Sequence, residues 1–187
     1  MIPSTAHRMY YLAIHCPGEL DQKIIQEKLW MLEKFGCRIG LKSPAHITII
    51  PPFLFDCMDE THILKSVSSF QSSVEFVDIE LTHFDHFTNR VLYICVNPNE
   101  LLYRIKDEAE NHFIHQLGGI IKKATTPFIP HITIANRDLK PADFNKAWGH
   151  FMNRKFEAIF KTQQISLLRL EEGKWSVIMA QNWHKAQ

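Results

Sequence analysis

The chain has 187 residues, 45% of them hydrophobic and 22% charged, with a formal net charge of +1. That apolar content excludes a disordered chain and is enough for residues 1–187 to form a single two-lobed domain. The near-zero charge excludes a protein that coats nucleic acid through a broad basic surface, so an RNA substrate would be gripped at a short end.

Tyr10 to Cys16 reads as a strand stopped by Pro17-Gly18. Glu19 to Phe35 reads as a helix, with Ile24, Ile25, Leu29, Leu32 and Phe35 near helical spacing and Gly36 as its stop. Ala45 to Ile50 is a β-branched strand that Pro51-Pro52 should end. Asp59 to Phe70 is a second helix, with Asp59 or Thr61 as its cap. Val74 to Leu81 and Arg90 to Val96 read as strands joined by a turn near Thr88-Asn89. Asn99 to Leu117 is a long helix closed by Gly118-Gly119, and Phe128 to Ala135 another β-branched strand. Pro141 to Phe151 is a short helix with proline at its entry. Two last strands, Phe156 to Leu170 and Lys174 to Ala180, flank the hairpin signal Glu171-Glu172-Gly173. The order strand, long helix, His-x-Thr strand, short helix, strand pair occurs in residues 10–97 and again from about residue 90, a coarse internal repeat.

The repeat matters because of what it carries. His46-Ile47-Thr48-Ile49 and His131-Ile132-Thr133-Ile134 are the same tetrapeptide. On a strand, side chains alternate, so each histidine shares one face with its threonine while the isoleucines enter the core. The imidazole and hydroxyl stand roughly 6–7 Å apart along the strand, a spacing that suits a phosphate. The hydroxyl would donate to a non-bridging oxygen while the imidazole meets an attacking or leaving oxygen. Two facing copies supply an acid and a base for in-line displacement at phosphorus, with no metal or other cofactor. The triplet alone means little: His86-Phe87-Thr88 is a third copy, but it runs into the Asn89 turn and lacks both the apolar alternation and the upstream proline (Pro44, Pro130) of the other two.

At these residues the sequence resembles the 2H phosphoesterase superfamily, in particular its 2′-5′ RNA ligase (LigT-like) and cyclic nucleotide phosphodiesterase branch. Arg90-Val91-Leu92-Tyr93, the stretch Leu101 to Arg137 ending in PFIPHITIANR, and the tail from Phe156 to Trp183 are similar to family segments. The resemblance implies an α+β, pseudo-symmetric fold with two antiparallel sheets lining a central cleft and helices outside. It implies His46 and His131 as the catalytic pair and Thr48 and Thr133 as phosphate binders. It also implies 2′,3′-cyclic phosphates or 2′-5′ linkages as targets. The family's arginine shortly after the second motif has its nearest counterpart in Arg137, with Ala135-Asn136 between it and the motif. Hydrolysis of a cyclic phosphate is the leading expectation. Ligation of RNA ends through a 2′-5′ bond, or non-catalytic binding of RNA ends or nucleotides, are the alternatives.

Other residues carry open readings. Phe53 and Phe128, near the motifs, are candidates for stacking on a base, against plain core packing. His112 and His115 could share a metal, but no third ligand suggests itself. His83, Asp85 and His86 form a polar cluster that is either solvated or near substrate, and His15 faces cleft or solvent. Cys16, Cys37, Cys57 and Cys95 form no CxxC pair and read as reduced, mostly buried thiols of a cytoplasmic protein. No nucleophile triad, P-loop or dinucleotide fingerprint appears. Residues 1–11 lack the pattern of a secretion signal, no apolar run reaches the ~20 residues of a membrane span, and a monomer without protein partners is expected.

Overall fold

The two matched tetrapeptides behave as their alternation demands: Ile47, Ile49, Ile132 and Ile134 are all buried in one continuous core. The computed structural model describes residues 7–184. Residues 1–6, part of the segment read for a secretion signal, lie outside them. The elements are β1 (His7–His15), α1 (Gly18–Phe35), β2 (His46–Asp56), α2 (Glu60–Ser69), β3 (Val77–Phe87), β4 (Val91–Val96), α3 (Glu100–Leu117), β5 (His131–Ala135), α4 (Pro141–Phe151), β6 (Lys155–Thr162), β7 (Gln164–Glu171) and β8 (Lys174–Asn182). They form an α+β fold with two four-stranded antiparallel sheets, ordered β2-β1-β7-β8 and β5-β4-β3-β6.

The repeat is visible in this order. Each motif strand is the edge of its sheet, next to the strand that opens its half: β2 beside β1, β5 beside β4. Each half then hands a later strand to the other. β3 follows the first half and pairs with β4; β7 follows the second and pairs with β1. The long helices cross over as well, α1 packing against β5 and α3 against β2. Neither motif strand is supported by its own half alone.

Three strand boundaries depart most from expectation. β2 runs straight through Pro51-Pro52 to Asp56. Proline is tolerated there because β2 is an edge strand, and the pair falls where the β1–β2 register shifts between Tyr10 and Leu12. β3 extends beyond Leu81 to Phe87, taking in most of the third His-x-Thr triplet. The expected strand from Phe156 to Leu170 is two strands of different sheets, broken at Gln163, whose carbonyl accepts from the Trp183 N–H. No glycine or proline marks that switch. Asp59 stands before α2 without a side-chain cap; Asp56 caps the preceding turn instead, through Met58 N–H.

The loop between α1 and β2 ties the halves together. Asp138, just after β5, accepts hydrogen bonds from the backbone N–H groups of Arg38 (2.5 Å) and Ile39 (2.8 Å). Gly40 passes so close to β5 that a Cβ there would stand 2.3 Å from the Ile134 carbonyl oxygen. Gly40→Ala is therefore expected to cost about 1–3 kcal/mol of unfolding free energy. Gly149→Ala in α4, where a Cβ meets nothing, should be neutral or stabilising by up to ~1 kcal/mol. Urea unfolding of the two variants checks the contrast.

Candidate active site

His46 begins β2, and the chain leading to it is fastened at three points. Asp21 of α1 accepts the Ala45 N–H (2.6 Å), Lys28 of α1 donates to the Ser43 carbonyl (3.0 Å), and the Cys16 N–H bonds the Ala45 carbonyl (3.0 Å). The Pro44 carbonyl thereby comes within 2.7 Å of His46 Nδ1. A carbonyl oxygen only accepts, so Nδ1 carries the proton and Nε2 is left with its lone pair. Tyr11 and Ser43 complete the shell, with the Tyr11 ring 4.9 Å from the imidazole and its hydroxyl bonded to Ser43.

The second motif repeats this device. His131 Nδ1 lies 2.7 Å from the carbonyl of Ile129, again two residues upstream. Tyr93 (5.0 Å) and Phe87 (4.9 Å) wall the ring. Two imidazoles thus hold the same tautomer by the same backbone bond. Burial lowers the pKa of both below the ordinary histidine value. For His46 the positive charges of Lys28, His15 and His131 add to this, while the Pro44 carbonyl opposes it.

Thr48 lies between two adjoining hollows. The first, about 470 Å³, is lined by His46, Thr48, Thr133, Tyr11, Lys28 and Arg137. The second, about 410 Å³ and more apolar, is lined by His131, Thr48, Phe87, Phe128 and Lys106. The first hollow is cationic. Lys28 is buried there, and burial lowers its ammonium to a pKa of about 8, opposed by Asp21. Arg137 lies at its exposed rim.

The structure thus brings His46, Thr48, His131, Thr133, Phe128 and Arg137 to one cleft. It does not bring Phe53. The alternation that sends Ile47 and Ile49 inward sends Phe53 inward too, where its ring packs 6.2 Å from Tyr10, so the suggested stacking role is withdrawn. His15 pairs in register with His46, and its Nε2 is buried without a hydrogen-bond partner among the described residues. His112 is not a ligand candidate: its Nε2 bonds the Ser66 carbonyl (2.8 Å) and its ring packs on Phe70. All four cysteines are free; Cys16 and Cys37 are buried and the other two half-buried. Among the described residues no helix is long and apolar enough to cross a membrane.

Sequence reasoning missed Tyr11, Ser43, Lys28, Trp175 and Phe87. Phe87 belongs to the dismissed third triplet: its partner His86 turns away to pack on Phe144 and Trp148, while Phe87 meets His131. Strand alternation carried the signal for Tyr11, which lies on the His15 face of β1.

Comparison with known proteins decides the family. Residues 22–174 match the family model of the 2′-5′ RNA ligase superfamily. The chain belongs to that superfamily. It is 30% identical over 138 residues to the "Putative phosphoesterase" of Geobacillus sp. (strain WCH70), covering 72% of this chain and 75% of that one. Its fold is that of Escherichia coli LigT, solved with 3′-AMP (TM-score 0.65, 16% identity, 94% and 97% of the two chains). The TT0787 protein of Thermus thermophilus shares it too (TM-score 0.60, 17% identity, 92% and 96%). Superfamily membership makes the chain a phosphoesterase- or ligase-type enzyme.

The histidine environment predicts a pH response. The unfolded chain takes up a proton near pH 6.5, whereas folded His46 resists it, so stability is retained above that pH and lost as pH falls below it. Denaturant unfolding between about pH 7 and pH 5 should show a smaller loss for His46→Gln than for the parent. Equal losses would contradict the burial of a neutral imidazole.

Proposed function

We propose that the chain is a phosphodiesterase that opens 2′,3′-cyclic phosphates at RNA ends or on nucleotides, with His46 and His131 as its acid/base pair and no metal in the reaction. The observation that carries this reading is the matched tether: each Nδ1 is occupied by a backbone carbonyl, which leaves two Nε2 atoms as the working groups of one cleft.

One neutral imidazole takes a proton from water as its oxygen attacks phosphorus. The other, protonated, gives its proton to the 2′ or 3′ oxygen as that P–O bond breaks. The roles exchange in the reverse direction. Thr48 and Thr133 donate to the non-bridging oxygens, and Lys28 and Arg137 supply the positive charge that an anionic phosphate calls for in the first hollow. The apolar second hollow suits a base, with Phe128 and Phe87 as stacking surfaces. That Escherichia coli LigT was solved with 3′-AMP supports a nucleotide in a cleft of this fold.

Hydrolysis of 2′,3′-cyclic nucleotides in EDTA, followed for the parent and for His46→Ala and His131→Ala, tests the mechanism. Each substitution should lower kcat/KM by roughly 10²–10⁴-fold. Activity that requires added metal, or that survives either change within a few-fold, sinks it. Joining of cyclic-phosphate and 5′-hydroxyl ends without ATP would make ligation the physiological direction. Saturable binding of phosphorylated ends without product would make the protein a binder.

A further inference from the structure

Three side chains with ligand chemistry meet at a place that the proposed reaction leaves unused. His83 and Asp85 alternate onto one face of β3, and Cys95 stands on the neighbouring β4. The β3–β4 pairing shifts register between Leu81 and Phe84, so Thr82 and His83 together face Cys95 across the ladder. The bulge brings Cys95 Sγ to 3.3 Å from His83 Nε2, and the ligand atoms of all three residues lie within 4.8 Å of one another.

We propose that His83, Asp85 and Cys95 form a three-ligand site for a borderline-soft divalent cation of the zinc class. Imidazole, carboxylate and thiolate together are a donor set for such an ion, whereas magnesium and calcium take oxygen. The spacing fits: ligands at bond lengths of ~2.0–2.3 Å around a tetrahedral ion stand roughly 3.3–3.8 Å from each other. His83 and Cys95 stand at 3.3 Å, and the Asp85 carboxylate lies within 4.8 Å of both.

The outer partners also fit. His83 Nδ1 is hydrogen-bonded with the Thr82 hydroxyl (2.8 Å), which orients the ring and leaves Nε2 for the ion. Asp85 Oδ1 accepts the His86 N–H (2.7 Å), and the carboxylate also accepts from the Tyr93 hydroxyl, so outer partners hold this ligand in place as well. Burial and the Asp85 charge push the Cys95 thiol up to about 11, so the ion would displace the thiol proton to solvent as it binds. His83 is exposed, which gives the ion an entry path and leaves the fourth position to water. Among the described residues no other group of three such side chains converges this way. None of the three lines the two hollows of the cleft.

Cobalt titration of the full, EDTA-treated and buffer-exchanged chain tests it. One equivalent of Co²⁺ should produce a near-ultraviolet thiolate-to-cobalt charge-transfer band and the visible absorption of a four-coordinate ion. One equivalent of Zn²⁺ should bleach both. Cys95→Ser should lose the charge-transfer band and Cys57→Ser should keep it. Thr82→Val should weaken Co²⁺ binding by about 10- to 100-fold. Should Cys95→Ser fail to fold, His83→Gln, at an exposed position, should lose the four-coordinate spectrum. The proposal is overturned if no saturable one-equivalent binding occurs, or if the charge-transfer band survives Cys95→Ser.

Discussion

A backbone carbonyl two residues upstream holds each motif histidine by Nδ1, and most of the architecture serves to place that carbonyl. A free imidazole exchanges tautomers and turns about two bonds, so it has no fixed working nitrogen. Both tethers remove that freedom with the same short bond. Proline contributes each time by excluding the residue before it from helical backbone. Ser43, before Pro44, is extended, and Ile129 precedes Pro130. At the first motif the loop is further fixed by Asp21, Lys28 and Asp138, side chains that are far apart in sequence. The cost of ordering a loop is met here by hydrogen bonds to charged groups, which are stronger than neutral ones.

The exchange of elements between halves answers a second requirement. A site built from two edge strands is only as well defined as the relation between the two sheets. If each half folded on itself, that relation would rest on surface contacts. Instead β3 and β7 cross to the opposite sheet, α1 supports β5, and α3 supports β2. One hydrophobic cluster accordingly includes residues of both sheets and all four helices, from Ile24 and Ile63 to Phe113 and Phe144. Gly40 marks how close the halves come, since only a residue without Cβ can pass the Ile134 carbonyl at that distance.

What could be read in the sequence was what repeats locally. The HITI tetrapeptides, their alternation and the helix stops at Gly36 and Gly118 depend on neighbours in the chain, and they placed the four cleft residues and nearly every helix. What could not be read depends on partners distant in sequence. Whether Pro51-Pro52 ends a strand depends on β2 being an edge, which no local pattern states. The switch at Gln163 depends on β6 and β7 finding different sheets. Phe53 was left between stacking and core packing because nearness in sequence to His46 says nothing of facing; parity along the strand decides which face a side chain takes, and it takes Phe53 into the core. Phe87 was lost because the triplet around it was judged as a unit, although its alternate residues serve opposite faces of β3.

Beyond the motif, its tether and the tyrosine beside each ring, the two halves differ. Around His46 the groups are polar and cationic: Tyr11, Ser43 and the buried Lys28. Around His131 they are aromatic: Tyr93 and Phe87, with Phe128 further along the second hollow. Two identical acid/base groups would leave a substrate free to bind in either sense. On the proposed reading the surroundings remove that freedom, because a phosphate is drawn to the cationic hollow and a base to the apolar one. The repeated strands then supply chemistry that is the same in both directions, and the unlike walls supply the orientation. A mutation that exchanged only the walls would be expected to turn the substrate around without touching either histidine, which is how symmetry of mechanism and asymmetry of recognition can be separated in one cleft.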